Sequence, residues 1–220
     1  MKFNYFESVT GTYIEEISGQ SRIGYSMSDA MQMDFYDMIE SSQNGTYHGS
    51  ILSFYDYSNG KIYEPFQKQP NVLYGKPVYL KDSFWFLQGD YNNQKISLFK
   101  YLPNGIPEMI TQLNIADIDL YNLRIIGEDA HIISEEDELV CYYPECLRFP
   151  VKNNESASLI ADGKVYSSAW AEDGWDDEND CATEEYKYYE KVIERDFEGN
   201  VLSEIVGCLQ QRPDGTWWIS

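Results

Sequence analysis

Two hairpin phrases alternate along the chain from one end to the other. The first-half phrase reads strand, polar turn, strand: "VYLKDSFWFLQGD", "RIIGEDAHIISEED", "LIADGKVYSSAWAED", the terminal "LQQRPDGTWWIS" and, more faintly, "ISGQSRIGYSMS". The second-half phrase carries an aromatic-rich run into a turn and out into an apolar-alternating run: "ILSFYDYSNGKIYEPF", "ISLFKYLPNGIPEMITQL" and "KVIERDFEGNVLSEIV". Degraded copies are "ELVCYYPECLRFPV", with Pro144 at its turn, and the opening "KFNYFESVTGTYIEEI". Asn59-Gly60, Asn104-Gly105 and Gly199-Asn200 mark turns, because Gly and Asn tolerate positive φ. The flanking runs alternate with the two-residue period of a strand. A chain written this way folds as antiparallel hairpins.

Each pair of phrases occupies about 44 residues, within the roughly 40 to 50 of a four-stranded propeller blade. The order begins on a second half and finishes on a first half, so the end phrase can complete the opening one and leave no sheet edge unpaired. In repeat length and phrase order the chain resembles β-propeller repeat proteins across nearly all its length. That resemblance implies one all-β domain over residues 1–220, with five four-stranded blades and the N- and C-terminal segments completing one of them. The alternatives are four blades with an N-terminal extension, or a β-sandwich of meandering hairpins. No blade signature of a characterised family is present: there is no "GH…WD" pair, and "PDGTWW" lacks the sialidase Asp-box spacing. Fold alone therefore assigns no function.

Charge narrows the partners. The chain has 37 Asp and Glu against 16 Lys and Arg, a formal net charge of −21. Such a chain lacks the cations that bind phosphate by counterion release, which argues against nucleic acid and anionic membranes and for a basic protein or peptide. Disorder is not the reading, because 19 Tyr, 10 Phe and 5 Trp are far more aromatics than disordered acidic segments carry. Cys141, Cys146, Cys181 and Cys208 show no CxxC spacing and read as reduced thiols. With no apolar signal run near the start and no apolar stretch of membrane-spanning length, the expected location is the cytoplasm.

Two joins are long, residues 29–48 and 171–186, and the blade register places both on one face. Long connections in a compact repeat tend to carry function. The second, "AEDGWDDENDCATEEY", crowds carboxylates around a tryptophan. Its Trp175, Asp176, Asp177 and Asp180 suit a basic partner, with the indole as a hydrophobic or cation–π anchor. Asp117 and Tyr121 of "NIADIDLYNLR" and Asp34 and Tyr36 of the first long join are expected on the same acidic, aromatic face. Closely spaced carboxylates also suit Ca²⁺, although Asp176, Glu178 and Asp180 lack the Gly and closing Glu of an EF-hand loop.

Catalytic signatures are sparse. His48 and His131 are the only histidines, neither at HxH or HxxxH spacing, and no GxSxG elbow, phosphate-binding loop or dinucleotide fingerprint occurs. His131, in "AHIISEED", reads as a structural histidine. Carboxylate pairs could serve a glycosidase, but 37 acids supply pairs by chance. The function expected from the sequence is therefore a non-enzymatic interaction module without a cofactor, its acidic, aromatic loop face binding a basic protein or peptide. The alternative is a small carbohydrate-active hydrolase or Ca²⁺-binding protein using the same carboxylates.

Overall fold

Alternating phrases become antiparallel sheets in which strands adjacent in sequence pair, except in the second sheet, where two short strands both pair with the strand that follows them. The structure, a computed structural model, describes residues 1–28, 34–45, 47–176 and 178–220. The first sheet is ordered β1 (Glu15–Glu16), β2 (Ile23–Met27), β3 (Leu52–Asp56), β4 (Lys61–Tyr63), with a short helix α1 (Met38–Gln43) between β2 and β3. The second contains β5 (Val72–Tyr74), β6 (Val78–Leu80), β7 (Ser83–Asp90), β8 (Lys95–Tyr101) and β9 (Glu108–Asn114). The third is β10 (Arg124–Ile126), β11 (His131–Glu135), β12 (Glu138–Tyr143) and β13 (Leu147–Pro150), in that order. The fourth is β14 (Glu155–Ala161), β15 (Lys164–Asp176), β16 (Cys181–Arg195) and β17 (Val201–Val206), and the chain ends in a hairpin of β18 (Leu209–Gln211) and β19 (Trp217–Ile219). The protein is all-β, and the phrases from "ILSFYDYSNGKIYEPF" onward each fall on one hairpin, whereas the opening phrase forms none and supplies only β1 to the first sheet.

The second sheet is four-stranded in all but continuity. β5 pairs with the far end of β7 (Val72 opposite Asp90) and β6 with its near end (Leu80 opposite Ser83), so together they form one strand interrupted at Gly75-Lys76-Pro77. Pro77 has no N–H to give to a ladder, which is why the strand breaks there. The Gly75 amide still donates to Leu87 O at 2.9 Å.

The described residues cluster into two units, one of residues 1–125 with 212–216, the other of 126–211 with 217–220. In the first unit an aromatic core joins the first two sheets: Phe54 lies 5.3 Å from Phe84 and 5.3 Å from Tyr101 by ring centroids, and Phe66 lies 4.9 Å from Phe99. Phe54 and Phe86 are fully buried, and each such side chain contributes on the order of 2 to 3 kcal/mol of apolar burial. In the second unit a smaller aliphatic core of Ile133, Leu139, Ile160 and Val165, closed by Phe149, fills the space between the third and fourth sheets. Every residue of β3 and β11 is buried, whereas the edge strand β17 exposes Val201, Leu202, Ile205 and Val206.

The chain ends depart from expectation. Residues 1–14 form no strand, and β18 and β19 pair only with each other, so the terminal phrases do not complete one four-stranded sheet. The opening segment instead rests on the β3–β4 turn: the Glu7 amide donates to Gly60 O at 2.9 Å, and Phe6 sets its edge against Tyr55 and Tyr57. These contacts close a shorter loop than pairing with the far terminus would, and loop-closure cost rises with length. At the other end, the Gly19 amide donates to Pro213 O at 3.1 Å.

Candidate functional site

The acidic stretch at 171–186 is not an irregular loop. β15 stops pairing with β14 at Ala169, and β16 pairs with β17 only as far as Lys191, yet β15 and β16 stay paired out to Asp176 opposite Cys181. The insertion is thus a two-stranded ribbon that outruns its sheet. One bulge interrupts it between Asp173 and Trp175, at Gly174, whose φ is +75°. A side chain there is excluded twice over, by the positive φ and because a Cβ would sit 2.8 Å from the backbone of Glu185 and Tyr186.

Cross-strand pairs hold the ribbon's charges in place. The Tyr186 hydroxyl donates to Glu172 at 3.0 Å, the Thr183 hydroxyl donates to Gly174 O at 2.8 Å, and Lys187 lies 3.5 Å from Asp173. Trp175 meets Tyr186 edge to face at 5.8 Å, and the indole remains 40 % exposed. Trp170 and Tyr188 are also exposed, and Glu172 stands directly opposite Tyr188, so carboxylate and ring share a face. The ammonium groups of Lys187 and Lys191 each lie 5.9 Å from the Tyr189 ring.

Of the ribbon residues expected to bind, Asp176 is committed to its own turn. Its carboxylate accepts from the amides of Glu178 and Asn179 and from the Asn179 side chain at 2.8 Å, and that last bond most strongly holds the carboxyl below its usual range. Asp180 is exposed in the same turn with φ of 49°, and Asp177 lies outside the described residues. Among the described residues no three His, Cys, Asp or Glu side chains converge as metal ligands.

The remaining expected residues lie in the other unit. Tyr36 and Tyr121 meet edge to face at 6.1 Å and both are exposed. Asp117 ends a 3-10 turn, Ile115–Asp117, and accepts from the Asn114 side chain at 2.6 Å. Asp34 is half-buried: it accepts from the Phe35 amide at 2.6 Å and from the Asn122 and Tyr36 amides, while burial raises its pKa. Trp175, Asp176 and Asp180 thus form one group, and Asp34, Tyr36 and Tyr121 another.

The sequence reading missed a cavity beside Asp34. About 500 Å³ opens where the β5–β6 edge of the second sheet breaks, lined by Tyr74, Gly75, Lys76 and Val78 of the break, by Leu87, by Met27, Asp34 and Phe35, and by Asn122–Ile125. Phe35 forms its wall. A Cβ at Gly75 would lie 3.2 Å from its ring and one at Gly89 3.0 Å, so the two glycines let the ring press on the sheet, and the Tyr91 hydroxyl donates to Phe35 O. The legible signal was Gly75-Lys76-Pro77 inside an otherwise alternating strand.

One histidine and one cysteine are buried. His131 is buried with Nε2 2.9 Å from Glu145, and burial pushes the Cys141 thiol up to about 12, far from a reactive thiolate. The cysteines are free thiols. No helix among the described residues is long and apolar enough to cross a membrane. Compared with known proteins, the chain matches no family model, no curated protein and no solved structure.

Proposed function

We propose that the chain is a non-enzymatic interaction module of the cytoplasm whose acidic, aromatic ribbon receives a basic protein or peptide. The observation that carries this reading is the continuation of β15–β16 beyond both flanking strands, with Trp170, Trp175 and Tyr188 exposed among carboxylates. Exposed rings cost solvation, and a fold that needed them only for packing would bury them. Beside carboxylates they provide both halves of a site for Lys or Arg, a ring face and an anion. Lys187 and Lys191 over Tyr189 show the geometry of such a contact within the chain itself. Asp34, Tyr36, Asp117 and Tyr121 extend the same chemistry in the first unit.

The test is a titration of a fluorescent oligo-arginine peptide by anisotropy at low and raised salt. Trp175→Ala and the combined Asp180→Asn, Glu184→Gln, Glu185→Gln variant should each weaken binding about tenfold, as expected for losing an anchor of about 1.4 kcal/mol. Unchanged affinity in both variants, or affinity indifferent to salt, overturns the reading.

We also infer that the four-stranded sheets are blades of a propeller and that the C-terminal hairpin begins a fifth. Support comes from the common meander order of all four sheets, from the fully buried strands β3 and β11, from the exposed edge strand β17, and from the Gly19–Pro213 hydrogen bond.

A further inference from the structure

We propose that the cavity at the break between β5 and β6 binds a small apolar carboxylate, an aryl- or alkyl-carboxylic acid, with its acid group at Lys76 and Arg124. A volume of about 500 Å³ is in the range of small-molecule sites, which run from roughly 300 to 1,000 Å³. The body of the cavity is apolar, with Met27, Phe35, Leu87, Leu123 and Ile125 on its walls. Burial of a ring or alkyl chain there removes apolar surface from water without leaving any polar group of the ligand's body unpaired.

Charge selects the head group. The chain carries more than two acids for every base, 37 against 16, yet the described residues that line this cavity include two bases, Lys76 and Arg124, beside the one acid Asp34. Lys76 is exposed, and its ammonium has no hydrogen bond or ion pair with any described residue. Arg124 is oriented by the bond from Nη1 to Asn122 O at 3.1 Å. Asp34 does not offer the opposite preference, because its carboxylate is already engaged by the amides of Phe35, Tyr36 and Asn122. A carboxylate ligand therefore meets two cations and an acid that is turned to its own backbone. The inference uses residues of the first unit alone and stands whether or not the ribbon binds a basic segment.

Three matched probes isolate the head group: biphenylacetate, biphenylethylamine and biphenylethanol, each titrated calorimetrically into the full chain. The acid should bind about tenfold or more tightly than the alcohol, the gain of one charge-assisted contact, and the amine more weakly than either. Lys76→Gln with Arg124→Gln should bring the acid to the level of the alcohol. Two cavity-filling variants, Val78→Phe and Leu123→Trp, should abolish binding of all three, and the milder Val78→Phe serves if the bulkier change does not fold. Tighter binding of the amine would make Asp34 the recognising group and overturn the proposal, as would equal binding of acid and alcohol, or no binding of the acid.

Discussion

Several of the aspartates cap turns of this protein. Asp56 accepts from the Ser58 amide and hydroxyl and from the Asn59 side chain, and takes a two-nitrogen contact from Arg22. Asp90, Asp176 and Asp196 repeat the arrangement with Asn93, Asn179 and Asn200, and Asp214 does so with Thr216. The Arg22 contact above all holds the Asp56 carboxyl far below its usual range even though the side chain is buried. Ionised Asp56 therefore stabilises the fold fully above the unfolded value of about 4, and that contribution is lost as pH falls below it. Asp56→Asn should cost about 1 to 3 kcal/mol in urea unfolding at neutral pH, and the gap from the parent should narrow steadily below about pH 4. A gap that is constant with pH would show that the carboxylate charge is not what matters. The turns were legible in Asn-Gly and Gly-Asn. The aspartate two to four residues earlier was equally legible, but in a chain so rich in acids a capping carboxylate looks like surface charge.

At the scale of the element, register decides. Arg195 on β16 reaches Glu155 on β14 through two nitrogens at 2.8 and 2.7 Å and donates to Gly199 O, tying three elements of the fourth sheet together across buried space. Glu155→Ala should destabilise by about 3 to 5 kcal/mol, because it strands a buried guanidinium, whereas the double change Glu155→Leu, Arg195→Met should recover most of that loss. Chemical denaturation of the two variants checks it, and equal losses would mean that the stranded guanidinium is not what costs stability. The same sheet explains why the ribbon was read as a loop. The Gly174 bulge shifts the alternation by one residue, so Trp175 and the residues before it fall out of period, and its carboxylates hide the rest. The break at Pro77 was missed for another reason. Val72–Tyr74 lay outside the hairpin phrases, so the Gly75-Lys76-Pro77 signal was passed over and the cavity beside it was seen only in the fold.

For the whole molecule, hairpin order was legible because within the sheets nearly all strands pair with a sequence neighbour, so local alternation and turn chemistry suffice to specify it. The pairing of the two ends was not, since similarity of phrases does not fix which edges meet. A propeller in which the C-terminal hairpin seats beside Gly19 predicts that removing residues 215–220 lowers the midpoint of thermal unfolding for the entire chain. Calorimetry would show it, and an unaltered main transition would favour a sandwich with a dispensable tail. The open edge of β17 has a further consequence. Its exposed Val201, Leu202, Ile205 and Val206 form a surface on which another copy could add a strand. At a net charge of −21 every copy repels the next, and that repulsion reaches only about 8 Å at physiological ionic strength. Resistance to edge-to-edge pairing is thereby delegated from the shape of the edge to the salt around it, and the charge that we propose recruits a basic partner is also the charge that opposes pairing of the chain with itself.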